Sequence, residues 1–270
     1  MMIEATFRAA RAAGHKILLP YVTGGITDDW IDYLDAFADA GADAIEVGLP
    51  FSDPMLDGVT IQEASDRALA RGVDTGSILA ALRNRRTSVP LIAMTYANLV
   101  LRFGVERFCA MLQETGVGGL IVPDLPLCEV DDLEGAAADA GIELVLLCAP
   151  ATTPGRLLEI AQRSRGFVYA VSRMDTTGER GELAATAAVL AHRVRAVTDR
   201  PVLLGFGVSS PAQAAEAARH SDGVVVASAL MRRVLDGASP AEVAAHVAQL
   251  RRALAAVEGP AVIAPTACVR

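Results

Sequence analysis

Aromatic side chains are scarce in this chain: phenylalanine, tyrosine and tryptophan together make 4% of its 270 residues, and Trp30 is the only tryptophan. With alanine and leucine dominant, that scarcity disfavours an all-β sandwich and favours helices. Lysine is scarcer still. Lys16 is the single one, and it precedes an apolar run at the wrong end for an active-site amine, which excludes carbon–carbon cleavage through a protein imine. The four cysteines, Cys109, Cys128, Cys148 and Cys268, are scattered without metal-ligand spacing and are expected to be free thiols. The four histidines, His15, His192, His220 and His246, do not cluster, so neither a zinc site nor a histidine-based triad is supported. No apolar run reaches the roughly 18 residues of a membrane span. The start, Met1-Met2-Ile3-Glu4, lacks the order of a signal peptide, and a cytoplasmic protein is expected. Basic residues number 24 against 32 acidic ones, a net charge of −8. No clustered basic face for nucleic acid is present, and an anionic substrate would need a local device to hold it.

What the chain has in quantity is apolar residues, 52% against 21% charged, enough for one large core. Eight short apolar runs alternate with alanine-rich helical stretches: Ile17 to Val22, Ala44 to Gly48, Leu91 to Tyr96, Gly119 to Pro123, Glu143 to Cys148, Phe167 to Ser172, Val202 to Phe206 and Gly223 to Ala227. Runs apolar on both faces suit parallel strands covered by helices. Helices are expected to close at Gly41, Gly116 and Gly141. They are expected to open at Ser210-Pro211-Ala212-Gln213 and Ser239-Pro240-Ala241-Glu242, which read as capping boxes, with Thr153-Pro154 a weaker third. Eight β-then-α units in this length predict a single-domain α/β protein, a (β/α)8 TIM barrel with extra helices over residues 1–257. A doubly wound open sheet is the alternative. The segment 258–270 shows no helical pattern and reads as a loosely ordered tail.

Glu46 is the chemical anomaly. In Ala44-Ile45-Glu46-Val47-Gly48 the period of two puts Ile45 and Val47 under helices and turns the carboxylate into the barrel near the C-terminal end of its strand. A carboxylate buried there is expected to have a raised pKa and to act as acid or base, the alternative being a structural glutamate paired with a buried base. The loop that follows, Ser52 to Gly58, adds Asp53 and Asp57, and two carboxylates in unlike environments can divide acid and base duties. A second constellation suits a phosphate. Gly205-Phe206-Gly207-Val208-Ser209-Ser210 and Ala227-Ser228-Ala229 follow the seventh and eighth strands, where barrels often hold phosphates on backbone N–H groups, with Thr177-Gly178 a third donor candidate. Glycine as a simple helix-entry turn is the alternative there.

The run Glu46-Val47-Gly48-Leu49-Pro50-Phe51-Ser52-Asp53-Pro54-Met55-Leu56-Asp57-Gly58, then Thr60-Ile61-Gln62, closely resembles the signature of the tryptophan synthase alpha subunit family. The resemblance extends over about residues 15 to 250 and includes Met94-Thr95-Tyr96-Ala97-Asn98, Pro123-Asp124-Leu125-Pro126 and Gly205-Phe206-Gly207. It implies a (β/α)8 barrel that cleaves indole-3-glycerol phosphate to indole and glyceraldehyde 3-phosphate without metal or organic cofactor, beside a beta subunit in an alpha2beta2 assembly. It implies Glu46 as the general acid/base and Asp57 as acceptor for the indole N–H. Tyr169 matches the family's tyrosine near the glutamate, and Tyr21 and Phe206 match its indole-pocket walls. Thr177, Gly178, Gly207, Ala227 and Ser228 fall where the family holds its closing loop and the phosphate.

Three departures stand out. Ser172-Arg173-Met174-Asp175-Thr176-Thr177-Gly178 carries Asp175 where the family has a loop glycine, near the expected phosphate. Ala227 replaces a glycine at the phosphate turn, and Thr23-Gly24-Gly25-Ile26-Thr27 lacks the family's usual proline. Two other readings follow: a stand-alone lyase releasing indole to a specialised pathway, and a weakly active regulatory partner subunit.

Overall fold

Strands apolar on both faces need a cover on each side. A closed barrel supplies one by filling its own interior and wrapping helices outside. The structure, a computed structural model, describes residues 2–83, 85, 87–171, 180–205 and 207–257, with the side chains of 180–185 left aside. In chain order the elements are α1 (Ile3–Ala12), β1 (Ile17–Thr23), α2 (Asp32–Asp39), β2 (Ile45–Gly48), α3 (Val59–Ala70), α4 (Thr75–Leu82), β3 (Leu91–Met94), α5 (Ala97–Phe103), α6 (Val105–Glu114) and β4 (Val117–Ile121). Then follow α7 (Asp131–Asp139), β5 (Glu143–Cys148), α8 (Pro154–Arg163), β6 (Val168–Val171), α9 (Arg180–Arg195), β7 (Val202–Gly205), α10 (Pro211–His220), β8 (Gly223–Val226), α11 (Ser228–Leu235) and α12 (Pro240–Ala255). Every strand pairs in parallel with the next, and β8 returns to β1 through Ile17↔Gly223 to Pro20↔Val226, so the sheet is a closed barrel rather than the open alternative.

The period of two sorts the side chains. Ile17, Leu19, Ala44, Ile92, Ile121, Val145, Phe167, Leu203 and Val225 point inward as one cluster. Their strand neighbours, Leu18, Ile45, Val47, Leu120 and Val224 among them, pack outward under the helices. The N-terminal mouth is plugged by α1, whose Ile3 and Phe7 join the inner cluster. Met2 offers that helix no side-chain cap. Instead the buried Glu143 carboxylate at the start of β5 accepts the N–H groups of Ile3 and, at 3.1 Å, of Glu4, which have no intrahelical acceptor. From the plug an aromatic column rises along the axis, Phe7 to Phe167 at 5.6 Å and Phe167 to Tyr169 at 5.8 Å between ring centres. Lys16 sits at this bottom end, buried, with Nζ donating to the Ser221 carbonyl at 2.8 Å. It lies far from the chemistry.

Gly41, Gly116 and Gly141 take φ of 95°, 77° and 68° just past their helices, as expected. Three local expectations are corrected. The fourth strand runs from Val117 rather than Gly119 and stops at Ile121: Val117 pairs with Leu91, and an irregularity then admits one extra residue before Ile92 meets Gly119. Ser239 and Glu242 form a full capping box, but at α10 Ser210 only accepts from the Gln213 N–H. The Gln213 side chain turns to Ser209 instead. Thr153 makes no side-chain cap, leaving Pro154 alone to mark the start of α8. Cys109, Cys128 and Cys148 are free thiols. Cys268 and the segment 258–270 lie outside the described residues.

Candidate active site

Glu46 lies on β2 between Tyr21 of β1 and Ile92 of β3 in register, and its side chain enters the barrel as the alternation requires. It is 1% exposed, and its Oε2 has no hydrogen-bond partner among the described residues. Burial, and then the negative charge of Asp57, pushes the carboxyl up to about 8. No cation figures among the groups acting on it. Among the described residues no base is paired with it, so the reading as a structural glutamate neutralised by a buried base finds no partner among them. A buried acid with an unused oxygen is a group held ready for a proton donor or acceptor that arrives with a ligand.

Asp57 sits on the loop from β2 to α3, held on three sides. Its N–H donates to the Pro54 carbonyl at 3.0 Å, its own carbonyl accepts from the Gln62 side chain at 2.9 Å, and its Oδ2 accepts from the Tyr96 hydroxyl at 3.1 Å. Tyr96 in turn accepts the Leu56 N–H at 3.0 Å and stacks on Phe51 at 5.2 Å. Burial raises Asp57 to about 6, opposed by the Tyr96 hydrogen bond. Between those two values Glu46 holds its proton while Asp57 is ionised, the division of labour that unlike environments impose.

Tyr21 and Tyr169 complete the upper layer. Both are buried and held neutral, raised first by burial, with the Glu46 and Asp57 charges adding to it. Two glycines make room for them. A Cβ on Gly48 would stand 1.9 Å from the Tyr21 hydroxyl, and one on Gly205 would stand 2.5 Å from the Tyr169 ring. The Tyr21 oxygen accepts from Thr23 Oγ1 at 3.2 Å.

The other end of the site is made of backbone. Gly207 takes φ 47° after β7, and Ser209 is tied through its N–H and hydroxyl to Gln213 Oε1 at 2.9 and 2.7 Å. Ala227, the residue before α11, has φ −116° and makes no side-chain cap, so it satisfies none of that helix's first N–H groups through its side chain. Its negative φ explains why alanine is accommodated in place of glycine. The proline-free loop after β1 packs through its own glycines. A Cβ on Gly24 would meet Ile78 at 2.9 Å and one on Gly25 would meet Val73 at 2.5 Å. Thr177, Gly178 and Phe206, with Asp175, lie outside the described residues.

Sequence reasoning missed four contributors. Tyr96, quoted only within a motif, pins Asp57. Asp124, likewise, accepts the Ala97 N–H at 2.8 Å and so sets the start of α5 beside Tyr96. Arg232 on α11 reaches Glu63 at 2.7 Å and Thr60 Oγ1 at 3.3 Å on α3. Arg67 on α3 donates back to the Leu235 carbonyl at 3.0 Å, so the helix after Asp57 and the helix that opens at Ser228 are clasped in both directions. The only available signal for Tyr96 and Asp124 was a position just beyond a strand; Arg67 and Arg232 lie in the last turns of their helices, where nothing in the sequence marked them. Among the described residues there is no group of three or more histidine, cysteine, aspartate or glutamate side chains placed to hold a metal ion. Among them, too, no helix is long and apolar enough to cross a membrane.

Known proteins share this arrangement. Residues 7–258 match the family described as tryptophan synthase alpha chain. The tryptophan synthase alpha chain of Chloroflexus aurantiacus is 43% identical over 263 residues, covering 96% of this chain and 99% of its own. That of Streptomyces coelicolor is 44% identical over 239 residues, 87% of this chain and 88% of its own. Among solved structures, an aminoacrylate-bound tryptophan synthase from M. tuberculosis superposes with a TM-score of 0.85 at 36% identity, over 93% of this chain and 98% of that one. The alpha subunit from Legionella pneumophila gives 0.86 at 30% identity, over 94% and 99%. With fold, length and the signature around Glu46 and Asp57 in agreement, the chain belongs to the tryptophan synthase alpha chain family.

Proposed function

We propose that Glu46 and Asp57 carry out the family's reaction in this chain, the cofactor-independent retro-aldol cleavage of indole-3-glycerol phosphate to indole and glyceraldehyde 3-phosphate, in the cytoplasm and beside a tryptophan synthase beta subunit that consumes the indole. The observation that carries the reading is the buried Glu46, raised to about 8 with an unpartnered oxygen, next to an Asp57 that ionises near 6. Protonated Glu46 gives its proton to indole C3, which turns the ring into an electron sink. Asp57 accepts the indole N–H and stabilises the resulting cation. The Glu46 carboxylate then takes the proton of the glycerol hydroxyl next to the ring as the carbon–carbon bond breaks. The bonding pair returns to the ring, an aldehyde forms, and Glu46 is protonated again. Proton transfer of this kind contributes about 10²–10⁴-fold, and placement between Tyr21 and Tyr169 with a held phosphate supplies more.

The phosphate is assigned to the backbone around Gly207, Ala227 and Ser228, with Thr177 and Gly178 on the closing loop and Phe206 as the second wall. A partner surface has support on the same mouth of the barrel. Met55, Leu56, Val59 and Leu101 are exposed beside a groove of about 290 Å³ whose walls include Pro50, Phe51, Leu99 and Arg102.

The test is indole release by the purified chain with and without a beta subunit. Slow turnover that rises strongly with the partner is expected. Fast turnover indifferent to it would select the stand-alone lyase, and beta binding with negligible turnover the regulatory subunit. Glu46→Gln is expected to abolish cleavage while the circular dichroism spectrum is unchanged. Near-normal turnover in that variant would refute the mechanism.

A further inference from the structure

The substrate proposed above is long, with an indole ring at one end and a phosphate at the other, so the groups that hold its two ends need a fixed spacing. Two helices carry those groups. Gln62, in the first turn of α3, donates to the Asp57 carbonyl at 2.9 Å and ties Asp57 to that helix. Ser228 is the first residue of α11. Thr60, Glu63 and Arg67 recur along α3 at the three- and four-residue spacing of one helical stripe, and Ser228 and Arg232 do so along α11. The two stripes meet. Arg232 donates to Glu63 at 2.7 Å and to Thr60 Oγ1 at 3.3 Å, and Arg67 donates in the other direction to the Leu235 carbonyl at 3.0 Å. One arginine side chain therefore joins the turn of α3 that grips Asp57 to the helix that opens at Ser228. Both helices also bury apolar residues, Ile61 and Ala64 on α3, Met231 and Val234 on α11. Apolar burial holds a helix down without direction; the arginine bonds fix how far one helix slides along the other.

We propose that Arg232, with Arg67 beside it, is a positioning residue that determines substrate length: by pinning α11 to α3 it sets the spacing between the phosphate turn and Asp57, and so selects three carbons between ring and phosphate. The inference rests on the assignment of the indole to Asp57 and of the phosphate to Ser228. Arg232 touches no substrate atom and acts only through the two helices. Its pair with Glu63 is half-exposed, at 42% and 46% for the two side chains, so it is a poor source of stability. Spacing is another matter. A ligand anchored at both ends binds at full strength only when its length matches the span, and a reacting group misplaced by a fraction of an ångström loses rate.

The experiment measures calorimetric Kd values of the full chain for unreactive indol-3-yl alkyl phosphates with two, three or four carbons between ring and phosphate. Glycerol 3-phosphate and indole, each a probe of one end alone, are measured beside them in wild type, Arg232→Met and Arg232→Lys. Wild type is expected to prefer the three-carbon ligand by about tenfold over either neighbour. Arg232→Met is expected to reduce that preference to about twofold, with the Kd of each one-ended probe within about twofold of wild type. Lysine, which keeps a charge facing Glu63, is expected to recover most of the preference. A methionine variant that keeps the wild-type preference would overturn the proposal, as would lysine behaving like methionine. So would glycerol 3-phosphate weakening as much as the three-carbon ligand, since Arg232 would then only support the phosphate turn. The site assignment is tested apart from this. Wild type that binds no glycerol 3-phosphate sinks the assignment and this inference with it, whereas a wild-type preference that Arg232→Met leaves intact sinks this inference alone.

Discussion

At the scale of single residues, the proposed chemistry depends on keeping one carboxyl protonated and the other ionised in the same pocket. The consequence for rate is a bell. Activity is expected to rise with pH as Asp57 ionises near 6 and to fall as Glu46 loses its proton near 8, and Asp57→Asn is expected to remove the acidic limb along with most of the turnover. The consequence for stability has the opposite sense to the usual surface carboxylate. Glu46 is raised from 4.5 to about 8 in the folded chain, so the fold binds more protons than the unfolded chain between those values. The contribution of Glu46 is fully favourable below about 4.5 and is lost as pH rises through 8. Glu46→Gln carries no such loss. Its Tm is expected to exceed that of wild type by a margin that grows from pH 5 to pH 8 and then levels off, reflecting on the order of a few kcal/mol. A constant difference across that range would show that Glu46 is not the titrating group.

Strands and helices act here as spacers for rings and as clasps for loops. Gly48 and Gly205 are required by what they face, since either Cβ would overlap a tyrosine. Gly48→Ala is therefore expected to cost about 1–3 kcal/mol in urea unfolding and to depress kcat/KM as Tyr21 is driven off Glu46. An alanine variant with wild-type kinetics would show that the layer is looser than this packing. A cap gives the contrasting case. Asp74 starts α4 with a reciprocal capping box to Ser77, and it does not touch the carboxylate pair. Asp74→Ala is expected to lose about 1 kcal/mol of stability with kcat unchanged, as denaturation and a steady-state assay would read together.

Across the whole molecule the two mouths of the barrel divide the work. The N-terminal mouth is closed by α1, held by Glu143, and lined by the charges around Lys16, Asp43, Arg251 and Asp222. The C-terminal mouth carries the carboxylates, the tyrosines and the turns at Gly207 and Ala227 that are proposed to hold the phosphate. A closed sheet leaves no edge strand to fray, so damage at the plug is felt as global stability. Ile3→Ala removes side-chain volume from the inner cluster and is expected to lose about 2–5 kcal/mol, with KM for indole-3-glycerol phosphate unchanged. A raised KM in a variant still fully folded at the assay temperature would mean that the plug communicates with the site along the Phe7, Phe167 and Tyr169 column.

The strands, their parallel pairing, the inward turn of Glu46 and the caps at Ser239 and Gly41 were legible in the sequence because each depends on neighbours within a few residues. Period, capping chemistry and left-handed φ are local quantities. The signature around Asp57 was legible only by resemblance. Nothing local says that Tyr96, 39 residues away, holds Asp57, or that Glu143 caps a helix 140 residues earlier. The same holds for Arg232 reaching back to Glu63, and for Arg67 reaching the Leu235 carbonyl. Those partners meet because the barrel closes, and side chains far apart in the chain are brought within bonding distance only by the curvature of the sheet. The sequence by itself therefore determined which side chains turn into the barrel and where helices start and stop. The tertiary structure decided which groups hold them in place, since positioning is a property of contacts across the ring rather than along the chain.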